Sequence, residues 1–228
     1  MPLGVDIPVK EVQRYMGYHG CADITPEVQA LIDKAVDRLS TQSHPRIVSK
    51  EYLIDVSEKS VVIHADNEDL LLESESLARN LKGCCGAILL AATIGPSCDM
   101  LVRRASITSS AEASAYQACG AAAIEAFLDD ENDRLNKQYE AKGYFLRPRF
   151  SPGYGDLKLD HQKDWFRLLD ISKQIGIELT DSLLMVPTKS VTAIIGIGRD
   201  PKASGCSECA GCGSCNMHKT CEFSKGRS

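Results

Sequence analysis

The chain has 228 residues, 43% hydrophobic and 25% charged, a balance typical of a globular protein with a substantial core. Its formal net charge is -5 and its acidic and basic residues are interspersed, so it lacks the basic stripe that nucleic-acid backbones select. No apolar run approaches the roughly 18 residues of a membrane span, and no secretory leader is apparent. We therefore expect a cytoplasmic protein without nucleic-acid or membrane partners.

The first predicted elements are a helix and a β-hairpin. Thr25 and Pro26 form a helix-start signal, and apolar residues then recur at three-and-four spacing as far as Leu39. Residues 46–56 and 60–64 are typical of two strands joined by a polar turn.

A short helix and a buried strand are predicted after the hairpin. Asp66 or Asn67 is expected to cap the helix, which would end near Gly83. The stretch GAILLAATIG, residues 86–95, is too continuously apolar for a half-exposed strand. We predict that it forms a central strand covered on both faces.

The second half of the chain predicts two helices, an extended segment, a further helix and two strands. A short helix around Met100 leads into an alanine-rich helix at about residues 109–142. Another helix is predicted within residues 161–172, and residues 182–198 are typical of two extended segments. The elements together predict an α+β fold, a single domain with a mainly antiparallel twisted sheet flanked by helices. We assign this domain to residues 1–200 and a cysteine-rich tail to residues 201–228.

The stretch LRPRFSPGYGD, residues 146–156, is unusually rich in arginine, proline and glycine. In an extended segment Arg147 and Arg149 would project to one face, just before a turn that carries Tyr154 between two glycines. Arginine matches carboxylate or phosphate, glycine lets a ligand approach the backbone, and an aromatic face attracts a positive centre. The alternative is a salt-bridged surface arginine pair above an ordinary turn.

Three motifs resemble the reactivation domain of cobalamin-dependent methionine synthase, the module that binds S-adenosylmethionine. They are RPRFSPGYGD, AEASA at residues 111–115, and MVPTKSVTAIIGIG at residues 185–198. The segments EVQRYMGYHG and CCGAILLAATIG extend the resemblance to about residues 8–200. More closely, the chain resembles the free-standing activation-domain proteins that accompany methionine synthases lacking that module.

The resemblance implies a role for each matching residue. Arg149 would pair with the methionine carboxylate and Glu112 with the ammonium group. Tyr154, with the turn amides of Gly153 and Gly155, would border the adenosine or the sulfonium. The sequence departs from the family pattern at Gly155, where full-length enzymes have proline, and in TAIIGIG, where they are aromatic-rich. Arg147 has no matching role, and we interpret it as part of a neighbouring ion pair.

The implied activity is that of an activation subunit. Its partners would be a cobalamin-carrying methionine synthase without an activation domain and a one-electron donor such as ferredoxin or flavodoxin. S-adenosylmethionine would supply a methyl group that remethylates the reduced cobalamin. The chain would position the methyl group and exclude water, so no catalytic acid or base is expected from it.

The tail predicts a thiolate site. Cys206, Cys209, Cys212 and Cys215 follow one another at three-residue intervals, and Cys221 lies six residues further on. This spacing favours an iron-sulfur cluster over zinc, whose structural sites separate two C-x-x-C units by a longer loop. Redox-active thiols and a tail without a ligand remain open. The alternative function is an iron-sulfur or other metal-binding electron-transfer protein that docks on a corrinoid protein.

The remaining cysteines and the histidines predict no site. The cysteines lie in apolar or alanine-rich surroundings, where a thiol behaves as a small hydrophobic group. The histidines lack metal-ligand spacing, and we interpret them as surface or packing residues. These residues are Cys21, Cys84, Cys85, Cys98, Cys119, His19, His44, His64, His161 and His218.

Overall fold

The computed structural model describes residues 3–18, 24–66 and 68–200. The predicted tail lies outside these residues, so its boundary stays a prediction. The helices are α1 Val9–Tyr15, α2 Pro26–Gln42, α3 Glu75–Asn80, α4 Ser97–Thr108, α5 Ser110–Glu140, α6 Gln162–Leu169 and α7 Ile171–Ile175. The strands are β1 Arg46–Val56, β2 Ser60–His64, β3 Asp69–Glu73, β4 Cys84–Thr93, β5 Phe145–Leu146, β6 Glu178–Leu179, β7 Met185–Val186 and β8 Ser190–Gly198.

The main sheet has six strands in the order β3-β2-β1-β4-β8-β5, and each neighbouring pair is antiparallel. A second, two-stranded sheet pairs β6 with β7. The predicted α+β class and the antiparallel sheet flanked by helices are therefore confirmed.

Strand β4 lies at the centre of the sheet and is covered on both faces. Ile88, Leu90 and Ala92 pack into a core formed with α1, α2, α4 and α5. Leu89 and its alternating neighbours pack into a second core formed with α3, α6 and α7. The alternation of strand side chains thus divides one apolar run between two cores, as residues 86–95 predicted. None of the helices formed by the described residues is long and apolar enough to span a membrane.

The helix and hairpin predicted near the start of the chain are confirmed. The hydroxyl of Thr25 accepts a hydrogen bond from the backbone of Val28, with Pro26 at the first position of α2. Strands β1 and β2 occupy the two predicted segments and pair through the expected turn.

The helix predicted from Asp66 or Asn67 towards Gly83 is partly wrong. Residues Asp69–Glu73 form strand β3, which pairs with β2 at the edge of the sheet. Helix α3 begins only after Ser74, whose hydroxyl accepts a hydrogen bond from the backbone of Leu77. Pairing with the existing hairpin satisfies the backbone of the leucine run and buries Leu72, so tertiary pairing outweighs the local helical spacing.

Candidate functional site

The glycine-tyrosine turn is fastened to the start of α3 by Asp156. One carboxylate oxygen accepts hydrogen bonds from the hydroxyl of Ser74 at 2.5 Å and the amide of Ser76 at 3.1 Å, and the other accepts from the amide of Glu75 at 2.8 Å. The Ser74 hydroxyl, with the helix amides, lowers the pKa of Asp156 to about 2. This contact holds the turn in one position against the sheet.

The interior of the turn depends on two glycines with positive φ. Gly153 has φ 92° and donates its amide to the carbonyl of Leu157 at 2.9 Å. Gly155 has φ 55°, and a Cβ there would lie 2.9 Å from the side chain of Ser76. The amide of Tyr154 donates to the carbonyl of Ser151. Of the three consecutive amides from Gly153 to Gly155, only that of Gly155 has no hydrogen-bond partner within the described chain. The Tyr154 side chain is 67% exposed beside the Phe150 ring.

Arg149 faces helix α5 and contacts two carboxylates on it. Its Nη2 lies 3.2 Å from Glu125 Oε2 and 3.0 Å from Asp129 Oδ1. The two acids are one helical turn apart and therefore share a helix face. The arginine side chain is 21% exposed, whereas both acids are more than half exposed. The cluster therefore has a partly buried cation on the inside and two carboxylates on the solvent side.

The two arginines do not share a face, and the expectation that they would is wrong. The amide of Arg147 donates to the carbonyl of Gly196, and Phe150 then pairs with Ile194. Between these two contacts the segment advances by three residues, whereas β8 advances by two. One residue of the segment is therefore extra, which is the pattern of a β-bulge. A one-residue shift in register moves the following side chains to the opposite face, so Arg149 reaches α5 while Arg147 does not.

Arg147 is buried and forms no ion pair within the described residues, so the interpretation as a neighbouring ion pair is also wrong. Its side chain is 6% exposed, and its Nη2 donates to the carbonyl of Lys82 at 2.7 Å. Its Nε has no hydrogen-bond partner. The stem packs against Gly196, where a Cβ would lie 2.9 Å from Arg147 Cγ. Arg147 therefore fills the space where the strands meet on the side away from α5.

Glu112 lies in the first turn of α5, away from Arg149. Its carboxylate is 2.7 Å from Lys34 Nζ and accepts a hydrogen bond from Tyr116 at 3.1 Å. The neighbouring Lys34 ammonium lowers the pKa of Glu112. Glu125 is thirteen residues later, which corresponds to about 20 Å along the helix axis. The structure therefore does not bring Glu112 and Arg149 together, and the ligand role of Glu112 stays a prediction.

Sequence reasoning missed Glu125 and Asp129, the acids that the fold places beside Arg149. Their signal in the sequence was weak: two carboxylates at i and i+4 in IEAFLDD are also typical of an exposed helix face. Only the packing of α5 beside the segment that carries Arg149 gives them a shared position.

The predicted tail ligands cannot be placed, because Cys206, Cys209, Cys212, Cys215 and Cys221 lie outside the described residues. Their role stays a prediction. In residues 3–18, 24–66 and 68–200, no group of three or more histidine, cysteine or acidic side chains is arranged to hold a metal ion.

Part of the chain matches a family model of known proteins. Residues 111–209 match the family model described as "Vitamin B12 dependent methionine synthase, activation domain". The matched region includes α5 with its acids, the Arg149–Tyr154 turn and strand β8. The resemblance inferred from the sequence motifs is thereby confirmed.

A solved structure gives the same result for the fold. The chain is similar to the protein in "Crystal Structure of the MetH Reactivation Domain bound to AdoHcy", with a TM-score of 0.61 and 17% sequence identity. The alignment covers 84% of this chain and 77% of the other. No curated protein sequence matches the chain significantly. The fold is thus that of a methionine synthase reactivation domain.

Proposed function

We propose that the chain binds S-adenosylmethionine beside Arg149 and supports the reductive remethylation of cobalamin on a B12-dependent methionine synthase. The family match supports the setting, since it spans the arginine, the tyrosine turn and α5. The similar reactivation domain was crystallised with AdoHcy, which is the product left when S-adenosylmethionine donates its methyl group. The partner would be a synthase without an activation domain of its own.

The contact of Arg149 with Glu125 and Asp129 is the observation that carries this proposal. A free amino-acid group has a carboxylate and an ammonium on the same carbon, so it needs a cation and an anion side by side. Arg149 uses Nη2 for the two acids, at 3.2 and 3.0 Å, which leaves its remaining donors for a carboxylate. Glu125 would then take the ammonium, the role that the family resemblance suggested for Glu112.

The turn would border the rest of the ligand. The exposed ring of Tyr154 offers a face to an adenine or to the positive sulfonium. The amide of Gly155, unpartnered within the described chain, supplies a donor at the same place. Asp156 would act as a positioning residue, because its contacts with Ser74 and the first amides of α3 hold this turn.

The chemistry requires placement rather than proton transfer by this chain. The partner's cobalamin would supply the methyl-accepting cobalt, and an external donor such as ferredoxin or flavodoxin would supply the electron. The residues around Arg149 hold the amino-acid end of the methyl donor, which leaves the sulfonium end near Tyr154 and the surface that meets the partner. Orientation of this kind is a major source of rate enhancement.

Calorimetric titration with S-adenosylmethionine tests the binding site, with Glu125→Gln and Glu112→Gln as a matched pair. We expect saturable binding by the wild type and weakening by about tenfold or more in Glu125→Gln, as for a lost charge-assisted hydrogen bond. Weakening in Glu112→Gln instead would support the role that the family resemblance implies for Glu112. A reactivation assay with oxidised cobalamin enzyme and reductant then tests the activity. No binding, or no gain in remethylated cobalamin on adding the protein, would contradict the proposal.

A further inference from the structure

Cys85 is an extra residue in the central strand. Cys84 pairs with Gly198 and Gly86 pairs with Ile197. Adjacent residues of β8 therefore pair with residues of β4 that are two positions apart, and Cys85 lies between them without a partner in the register. A bulge of this kind re-aims the side chain that it inserts. The Cys85 side chain is exposed, whereas the eight residues that follow it in β4 are buried. The expectation that the scattered cysteines serve as small hydrophobic groups holds for the buried Cys98 and Cys119 but is wrong for Cys85.

The Cys85 thiol lies where strand β8 ends and the tail begins. Its Sγ is 3.7 Å from the carbonyl of Ile197. Arg199, two residues later, donates a hydrogen bond to the hydroxyl of Tyr144 at 3.3 Å, and this contact raises the pKa of Arg199.

A surface groove extends from Cys85 across the end of strand β1. Cys84, Cys85, Leu53, Asp55, Val56 and His64 line it, and its volume is about 520 Å³. We call this the bulge groove. Leu53 is 71% exposed, although it lies in the middle of a six-stranded sheet. Asp55 lines the groove and Asp69 lies next to it; their carboxylates contact His64 at 2.9 and 3.0 Å, and these hydrogen bonds raise the pKa of His64. The groove thus combines an apolar floor with two carboxylates around one histidine.

The tail has the length and the charge to occupy this groove. Cys206 is seven residues after Arg199, a distance that an extended chain covers up to about 23–25 Å. Residues 201–228 contain four basic and two acidic side chains, in contrast to the net negative charge of the rest of the chain. A tether this short keeps the tail at a high effective concentration near the groove.

We propose that the C-terminal tail, residues 201–228, docks in the bulge groove and brings its cysteines beside Cys85. The observations that carry the proposal are the inserted, exposed thiol, the end of β8 beside it, and the opposite charges of the groove and the tail. The inference is independent of S-adenosylmethionine binding.

Disulfide trapping in the full-length protein tests the docking. The reduced protein is treated with oxidised glutathione, so that one Cys85 thiol and one tail thiol form a disulfide while the oxidant yields two molecules of reduced glutathione. Peptide mapping is expected to find Cys85 joined mainly to a cysteine within residues 206–215. Disulfides formed only within the tail, with Cys85 free or glutathionylated, would overturn the proposal.

A second measurement does not depend on oxidation. Under reducing conditions, the rate at which iodoacetamide alkylates Cys85 is compared between wild type and Lys202→Glu/Lys219→Glu. Docking predicts a several-fold faster reaction in the charge-reversed protein, and equal rates would count against the proposal. Cys98→Ser serves as a control for both experiments, because Cys98 is buried and its removal leaves the groove unchanged.

Discussion

Arg147 and Arg149 are separated by one proline, yet they lie in contrasting regions of the molecule. Arg147 is buried on the side of the sheet away from α5, where its guanidinium donates to the carbonyl of Lys82. Arg149 lies on the α5 side, where it contacts two solvent-exposed carboxylates. A buried cation with a backbone partner contributes to packing, whereas a partly exposed cation beside acids is able to exchange partners with a ligand. Residue type and spacing alone do not distinguish these two roles.

The largest expected effect is on ligand affinity, from Arg149→Ala. Truncating one partner of a hydrogen-bonded charge pair typically costs 2–5 kcal/mol, so we expect affinity for S-adenosylmethionine to fall by about 100-fold. The free energy of unfolding should change by less than about 1 kcal/mol, because both partner carboxylates, on Glu125 and Asp129, are more than half exposed to solvent. Calorimetric titration and urea denaturation measure the two quantities. Loss of stability without loss of affinity would reverse the assignment.

Arg147→Ala should show the opposite behaviour. Removing the buried side chain leaves a void beside Gly196 and an unpaired carbonyl at Lys82. We therefore expect the free energy of unfolding to fall by about 2 kcal/mol. Affinity for S-adenosylmethionine should remain at the wild-type value. Arg147→Met is the matched control, since it retains much of the packing stem and should be less destabilised. Equal weakening of ligand binding by Arg147→Ala and Arg149→Ala would refute the separation of roles.

The smallest effect is expected at the anchor of the turn, from Asp156→Asn. Loss of charge-assisted contacts with the start of α3 should lower stability by about 1 kcal/mol, as for a lost helix cap. The pKa of Asp156 is depressed to about 2 in the folded protein, against about 3.9 in an unfolded chain. Its contribution is therefore complete above about pH 4 and disappears as the pH falls towards 2.

Denaturation of wild type and Asp156→Asn from pH 2 to pH 7 measures this contribution. The stability difference between the two proteins should be constant above about pH 4 and shrink below it. A difference that persists at pH 2 would show that the carboxylate charge is not what holds the turn.

Much of the fold was predictable because its signals are local. The cap at Thr25, the hairpin of β1 and β2, and the continuous apolar run of β4 each identify an element within a few residues. Strand β3 was mistaken for helix because its leucines have no distinctive period, and only pairing with β2 selects the extended form.

The candidate site was less predictable, because it depends on register between distant segments. The motif identified Arg149 and Tyr154, but the bulge opposite β8 sets the face of each arginine. The bulge results from pairing with residues 194–196, more than forty positions away. In the same way, no local feature distinguishes Glu125 from Glu112 as the neighbour of Arg149. The length of α5 and its packing against the sheet determine which glutamate lies next to Arg149.

The pairing of Arg149 with Glu125 and Asp129 has a consequence for selectivity. Without a ligand the guanidinium of Arg149 is already paired with the two carboxylates. A ligand that breaks these pairs must therefore offer its own charged groups in their place. A nucleoside that lacks the amino-acid end has no charged group to pair with either the arginine or the acids. A decarboxylated analogue has an amine for the acids but no carboxylate for the guanidinium. Only a zwitterion compensates both signs at once. If S-adenosylmethionine binds beside Arg149 as proposed, the ligand-free cluster would select ligands that carry a complete amino-acid group.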